Sequence, residues 1–293
     1  MAFRVVKINN RCKLETQLGY LVCRSDKETK ILLNEIELLI IENQQVCITS
    51  ALISELMNHK IRVIFCDNTH QPQGEVSPYN SCYDTYGKIK QQIAWEETTK
   101  SFLWNQIVRQ KIHNQSFVLR IKEKFSEANT LEKYEHEVQN GDIQNREGLA
   151  AKLYFSSLFG DKFDRRKKND KTNIYLNYGY SILLSMVNRE IASSGYLNQL
   201  GVHHIGEQNP FNLGCDFMEP FRPFVDKIVI DSKLTDDNYK SEFIKLLSIN
   251  ISCNNQTTLL DNAIHNFVLD CLAFLNRYDN HDIIKIKFLD EQL

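Results

Sequence analysis

The character of the chain changes near residue 80, and this change constrains the fold more than any other feature. Before that point, short runs rich in Val, Ile, Leu and Tyr alternate with Asn, Asp or charged residues, which is typical of β-strands. After it, no proline occurs between Tyr79 and Asn209, and apolar residues recur at helical spacing. We therefore predict an α+β protein, with a small N-terminal β domain followed by a larger α-helical C-terminal domain.

The first part contains five candidate strands and one helix. The strands are predicted at 3–8, 19–25, 30–33, 36–41 and 61–66. Thr49 or Ser50 can cap a short helix that precedes the last strand. Proline, glycine and polar residues in 67–88 are typical of a linker or hairpin. The predicted domain limits are 1–75 for the β domain, 76–88 for the linker and 89–293 for the helical domain.

The second part reads as a series of helices. A long helix, or one with a single break, is predicted over 88–125, because Ile93, Trp104 and Ile112 fall near a period of 3.6 residues. Further helices are predicted at 144–158, 177–194, 212–219, 237–249 and 258–275. The alternating run 282–288 is typical of a final strand or of a frayed helix.

Composition excludes several classes of protein. The chain has 293 residues, 35 Lys and Arg against 37 Asp and Glu, and a net charge of −2, so any nucleic-acid site must come from local clusters of basic residues. It lacks the phosphate loops of dinucleotide enzymes and P-loop ATPases and the motifs of α/β hydrolases and common zinc proteases. No uninterrupted apolar run reaches ~18 residues and no secretory signal is visible, so we expect a cytoplasmic protein without membrane association.

Three segments carry residues that can perform chemistry. Glu147 begins a run of small and apolar residues. Its carboxylate either interacts favourably with the helix dipole or belongs to a functional site. His203 and His204 are adjacent, so their side chains point in different directions and both rarely bind one metal. Asp216 and Glu219 share a helix face at a spacing of three residues. They form either a solvated acidic face or, given their apolar neighbours, a site that needs a cation.

This set of donors suits Mg²⁺ or Mn²⁺, which prefer oxygen with some nitrogen. Zinc is the rival, since Cys215 stands beside Asp216, although structural zinc sites use more thiolates at closer spacing. A basic segment follows the Glu147 run and is either a solvated loop or a surface that binds phosphates. It comprises Lys162, Arg165, Arg166, Lys167, Lys168 and Lys171.

Several ordered motifs together resemble one known family. They are ELLIIEN at 37–43, ITSALISEL at 48–56, IRVIFCD at 61–67, QIAW at 92–95, REGLAAKLYF at 146–155, the FG pair at 159–160 with Phe163 and Arg165, NYGY at 177–180, GVHH at 201–204 and FNLGCDFMEPFRPFVD at 211–226. The chain resembles CRISPR-associated protein one, the spacer integrase of CRISPR adaptation, in the form that accompanies type II systems.

The resemblance implies a site as well as a fold. The family fold is a β domain joined to a larger helical domain. Its metal site carries over to Glu147, His204 and Glu219 as catalytic residues and ligands, with Asp216 as an auxiliary acidic residue and Mg²⁺ or Mn²⁺ as the cofactor. Many relatives have Asp where Glu219 stands, and Cys215 stands where an acidic residue is expected.

The resemblance also implies partners. Members form homodimers, and two dimers flank a dimer of CRISPR-associated protein two in a four-plus-two complex. Other type II adaptation proteins are further possible partners. The substrates are a double-stranded DNA prespacer and the CRISPR repeat, held mainly through phosphates because prespacers vary in sequence. We expect Tyr residues in 79–86 to stack on an unpaired base. Predicted DNA-binding residues are Arg146, Arg165, Arg166, Lys167 and Lys168.

The predicted function is metal-dependent joining of prespacer 3′-OH ends to the repeat by transesterification, with endonuclease activity as the related hydrolysis. Two alternatives stay open at this stage. One is a metal-dependent, structure-specific nuclease outside adaptation, which cuts DNA but does not join it. The other is a non-catalytic dimeric scaffold, in which Glu147, Asp216 and Glu219 are only surface charge.

Overall fold

The computed structural model describes residues 4–68, 72–76, 82, 84–167, 169–277 and 281–289. The chain divides into two compact units, Met1–Asn80 and Ser81–Leu293. Most strands lie in the first unit and nearly all helices in the second, so the predicted α+β class is confirmed.

The first unit contains eight described strands and one helix. These are β1 (Arg4–Ile8), β2 (Lys13–Gln17), β3 (Tyr20–Arg24), β4 (Glu28–Leu32), β5 (Ile36–Ile41), β6 (Cys47–Ile48), α1 (Ser50–Asn58), β7 (Arg62–Cys66) and β8 (Pro72–Val76). In one sheet β1, β5 and β7 are parallel and β8 is antiparallel to β7. In the other, β4, β3 and β2 form an antiparallel meander and β6 pairs parallel to β2.

One apolar core holds this unit together. Leu14, Leu39 and Leu52, from the two sheets and α1, are fully buried in it. The hydroxyl oxygen of Thr49 accepts the backbone N–H of Leu52 and so caps α1, as predicted. Strand β2 was not predicted, because its sequence KLETQ is mostly polar and only Leu14 is fully buried.

The second unit contains nine described helices and three short strands. They are α2 (Thr85–Ile93), α3 (Glu97–Ile121), α4 (Phe125–Glu137), α5 (Arg146–Phe159), α6 (Lys171–Ser193), α7 (Asn212–Met218), α8 (Arg222–Asp231), α9 (Tyr239–Ile244), β9 (Asn250–Cys253), β10 (Gln256–Leu259), α10 (Leu260–Arg277) and β11 (Ile286–Lys287). Strand β9 lies between β10 and β11 in one antiparallel sheet. Among the helices described, none combines the length and apolar character needed to cross a membrane.

The helical unit agrees with the sequence prediction in part and differs from it in part. The segment 88–125, predicted as a long helix or as one with a single break, is α2 and α3 with a break between them, and α2 begins earlier, inside the segment predicted as a linker. Glu123 adopts a left-handed φ of 58°, which ends the helical path, and the chain continues as the unpredicted α4. A 3₁₀ turn, Glu219–Phe221, separates α7 from α8 where Pro220 removes a backbone donor.

Candidate active site

Glu147 lies in the first turn of α5, and the local sequence holds it there. The carboxylate of Asp142 accepts the backbone N–H groups of Arg146 at 2.8 Å and Glu147 at 2.9 Å. Asn145, in a left-handed conformation with φ 51°, caps the helix by accepting the N–H of Gly148. These two caps satisfy the free donors of the first turn and fix where the side chain of Glu147 begins.

Glu219 lies at the turn between α7 and α8 and is only 2% exposed. Its Oε1 forms an ion pair with Nε of Arg222 at 2.9 Å, and its Oε2 lies 2.5 Å from Nζ of Lys111. Burial by itself raises the pKa of Glu219, but the cations Arg222 and Lys111 outweigh it, so the pKa lies below its usual value. Glu219 is therefore a buried, ionised carboxylate.

Lys111 brings the two glutamates together. It projects from the middle of α3 and is 8% exposed, and its Nζ contacts Oε1 of Glu147 at 2.6 Å as well as Glu219. Two carboxylates from separate elements thus converge on one positively charged atom. Two such groups repel each other unless a cation lies between them, so this point of the fold requires positive charge.

Asp216 organises the histidine loop instead of facing a ligand. Its fully buried carboxylate accepts the backbone N–H groups of Val202, His203 and His204 at 2.5 to 3.0 Å. It also lies 2.6 Å from Nδ1 of His204. This hydrogen bond raises the pKa of His204, and the charges of Glu219 and Glu147 add to the effect. His204 is therefore close enough to both glutamates to respond to their charge.

The two histidines have different environments. The ring of His203 stacks on buried Trp104, with centroids 4.2 Å apart and planes 3° apart. The ring of His204 stands at 89° to that of His203 and meets the edge of Trp104. Trp104 thus holds His203 in a stack, while His204 lies beside the carboxylates.

A cavity of about 610 Å³ opens beside His204. Apolar side chains contribute to its wall, and Ile93 and Ile205 are 70% and 86% exposed. Within the described residues, Nε2 of His204 makes no hydrogen bond. The ring of His204 therefore has one nitrogen fixed by Asp216 and borders open space.

The model of the family described as CRISPR associated protein Cas1 matches residues 6–259. This chain belongs to the Cas1 family. Within the family, it is 38% identical over 265 residues to the protein named CRISPR-associated endonuclease Cas1 of Neisseria meningitidis serogroup C, covering 87% of this chain and 86% of that one. The family predicted from the sequence motifs is confirmed, and the type II form stays a prediction.

Solved structures share the fold of this Cas1-family chain. A chain of a Cas6-RT-Cas1–Cas2 complex matches 98% of this chain with a TM-score of 0.75 and 19% identity, and this chain spans 36% of that longer one. A casposase bound to an integration product matches with a TM-score of 0.68 and 19% identity, over 95% of this chain and 92% of the other. At such identities the likeness shows a common fold.

The donors at this site fit a divalent cation. Glu147 and Glu219 offer hard carboxylate oxygens, and His204 has the carboxylate-bound Nδ1 and free Nε2 that ligand histidines use. In the ranges described above, no three His, Cys, Asp or Glu side chains stand together in ligand geometry. The ammonium of Lys111 lies between the two glutamates instead.

The zinc alternative has less support. Cys215 accepts a hydrogen bond from Nδ2 of Asn209 at 3.6 Å. Burial raises the pKa of its thiol, which disfavours the thiolate that zinc requires. Its nearest polar contact is thus an amide, and its thiol is not paired with Asp216.

The predicted DNA-binding residues fall into two groups. Arg146 pairs with Glu137 at 2.9 Å, and Arg165 donates to Asn173 and Asn177 on α6. Both therefore have structural partners. By contrast, among the residues that the structure describes, Arg166 is paired only with Asp164 and its side chain is 90% exposed, and Lys167 is also exposed. Lys168 lies outside the described residues, as do Tyr79 and Tyr83 of the predicted stacking segment, whereas Tyr86 is 81% exposed.

Sequence reasoning missed Lys111, Arg222 and Trp104. A signal for Lys111 was present, because it follows Ile107 and Val108 at helical spacing and so occupies an apolar position of α3. A charged residue on a buried stripe needs a partner of opposite charge. The sequence does not show which of the 37 acidic residues that partner is.

Proposed function

We propose that this Cas1-family chain is a metal-dependent DNA integrase and endonuclease of CRISPR adaptation. In this proposal it joins the 3′-OH ends of a prespacer to the CRISPR repeat. The observation that carries the proposal is the convergence of Glu147 and Glu219 beside His204 in a chain of this family. The names of its relatives, an endonuclease Cas1 and a casposase with an integration product, support the reaction class.

The reaction needs no protein nucleophile. The oxygen of the prespacer 3′-OH forms a bond to a phosphorus atom of the repeat, and one P–O bond of the repeat breaks, leaving a new 3′-OH. One phosphodiester replaces another, so no ATP is required, which agrees with the lack of a phosphate loop. With water as the attacking group, the same chemistry cuts DNA and accounts for endonuclease activity.

Each residue of the site has its own role in the proposed reaction. Glu147, Glu219 and Nε2 of His204 would hold Mg²⁺ or Mn²⁺, which when bound lowers the pKa of the attacking hydroxyl and stabilises charge on the phosphate. Asp216 fixes the ring of His204 and the backbone of its loop. Arg222 holds the second oxygen of Glu219 in place.

Partners follow from the same proposal. The chain acts as a homodimer that assembles with the small Cas2 protein in a four-plus-two complex on prespacer DNA. One structural neighbour is itself a chain of a complex that contains Cas2, which supports this assembly. Arg166 and Lys167 contribute to DNA binding from an exposed loop.

The test is strand transfer by single variants. Glu147→Gln, His204→Ala and Glu219→Gln should each reduce the joining of a labelled prespacer to a supercoiled repeat plasmid by at least ~100-fold with Mn²⁺ or Mg²⁺ present. Glutamine keeps the shape of the two glutamates, so the fold and dimerisation should be retained, although Glu219→Gln should lower the melting temperature because buried Lys111 loses a counter-charge. Glu132→Gln, which alters a surface ion pair with Arg120, serves as the matched control.

The outcomes separate the alternatives. A variant that joins DNA at the parental rate removes that residue from the site. A parental protein that cuts branched DNA but never joins a 3′-OH to the repeat supports a nuclease outside adaptation. A parental protein that does neither, with or without metal and Cas2, supports a scaffold.

A further inference from the structure

The amine of Lys111 occupies the central position of the candidate active site. Its Nζ lies 2.6 Å from Glu147 and 2.5 Å from Glu219, and these carboxylates come from α5 and from the turn before α8. The side chain is 9% exposed. A long, flexible side chain from a third element, α3, therefore delivers one positive charge to the point where the two carboxylates meet.

Lys111 is charged in this position. Its Nζ forms ion pairs with the carboxylates of both Glu147 and Glu219, which are the counter-charges that a buried ammonium needs. The second cation at this point, Arg222, is partly exposed; it contacts Oε1 of Glu219 and leaves Oε2 to Lys111. Without Lys111, the negative charges of Glu147 and Glu219 would face each other with Arg222 as the cation that balances them.

We propose that Lys111 is an internal counter-cation, which holds Glu147 and Glu219 together in the metal-free protein and leaves the space between them when a divalent ion binds. The inference rests on the proposed metal site. A divalent ion and an ammonium cannot both lie between the same two oxygens, because they would repel each other at close range. Lys111 thus holds the carboxylates in place, and the free-energy cost of displacing its ammonium lowers the apparent affinity of the parental protein for metal.

The first test measures binding of Mn²⁺ alone to the full chain, by the electron paramagnetic resonance signal of free Mn²⁺. Lys111→Met keeps an unbranched side chain that is one atom shorter and removes its charge. We expect this variant to bind Mn²⁺ at least ~10-fold more tightly than the parental protein. Lys122→Met is the matched control, because Lys122 lies about three helical turns beyond Lys111, at the end of the same helix, and pairs there with Asp231 at 2.7 Å. Its Mn²⁺ binding should be unchanged.

A second measurement uses the parental protein, so it does not depend on how the variant folds. Acetic anhydride acetylates accessible lysine amines, and mass spectrometry reports each site. Saturating Mn²⁺ should increase acetylation of Lys111 several-fold and leave that of Lys122 unchanged. If acetylation of Lys111 does not change with Mn²⁺, the ammonium stays in place and the inference is wrong.

Glu147→Gln separates this inference from the proposed function. If Glu147→Gln loses Mn²⁺ binding while Lys111→Met binds no more tightly than the parental protein, the metal site stands and the counter-cation role is overturned. If Glu147→Gln binds Mn²⁺ as well as the parental protein does, the proposed metal site itself fails.

Discussion

Asp226 is a buried carboxylate that the proposed chemistry does not use. It is 1% exposed and accepts a hydrogen bond from the hydroxyl of Tyr180, with the hydroxyl of Tyr154 nearby. Burial raises the pKa of Asp226 to about 6, although the tyrosine hydroxyls and the charges of Arg222 and Arg165 act in the opposite direction. The folded protein therefore holds this proton at pH values where the unfolded chain releases it.

The stability contribution of Asp226 should consequently fall as pH rises. Because the pKa is higher in the folded state than in the unfolded state, the contribution is complete below about pH 4 and is lost as pH rises through about 6. Between about pH 4 and pH 6, the parental protein should lose about 2 kcal/mol of its free energy of unfolding relative to Asp226→Asn. Urea unfolding at several pH values measures it, and a difference independent of pH would contradict the shift.

Asp236, in the same unit, provides a control whose contribution to stability should change with pH in the opposite direction. Lys171 and Tyr175 hydrogen-bond to Asp236 and lower its pKa. Asp236→Asn should therefore remove a contribution that is present at neutral pH and lost in acid. Opposite slopes for the two variants would attribute each effect to its own carboxylate.

At the scale of elements, the loop between α5 and α6 contains two adjacent arginines, of which one makes structural contacts and the other is exposed. The guanidinium of Arg165 donates to Asn173 at 2.5 Å and Asn177 at 2.9 Å, and it lies over the rings of Phe155 and Tyr180. These contacts join α5 to α6. Arg166, one residue on, extends into solvent. Adjacent residues of one basic run thus have different roles.

The double variant Arg166→Ala/Lys167→Ala should weaken DNA binding without affecting stability. Loss of up to two phosphate contacts should lower the slope of log affinity against log salt by about 1 to 2. Fluorescence anisotropy with a labelled duplex across a salt series measures both quantities. Lys133→Ala, which removes an exposed lysine of α4, is the control. Equal affinity and equal slope would remove this loop from the DNA-binding surface.

At the scale of the whole helical unit, the C-terminal segment 281–289 packs against α3, the helix that carries Lys111. The side chains of Gln106 and Gln110 on α3 bond the backbone of 281–286 through both their amide nitrogens and their oxygens. Asn114 donates to the carbonyl groups of Pro220 and Ile286. The segment is therefore tied through α3 to the turn that carries Glu219.

Phe288 packs this segment against α3 and α8 through two aromatic contacts. Its ring lies 4.0 Å from that of Phe224 and 4.8 Å from that of Phe117, and it is 4% exposed. Phe288→Ala should lower the free energy of unfolding by about 3 to 4 kcal/mol, because it leaves a cavity against α3 and α8. Chemical denaturation measures this change. Leu269→Ala, at a position 43% exposed, should cost under about 1 kcal/mol, and equal costs would contradict the supporting role.

The sequence by itself determined the fold class, most helices and the segments that contain the candidate site. Those features depend on local patterns: alternation in strands, the cap at Thr49, helical spacing after residue 80 and the ordered family motifs. Strand β2 was missed because its residues are mostly polar, and α4 because nothing in the local pattern marks the left-handed turn at Glu123.

The tertiary structure decided which charges meet. Lys111 pairs with residues 36 and 108 positions away, and the roles of Asp216 and Arg165 likewise depend on which backbone groups and amides pack against them. A local sequence pattern reflects the conformational preferences of residues that are neighbours along the chain. The partner of a buried charge depends instead on which element faces pack together, because a charge removed from water must find its counter-charge within the fold.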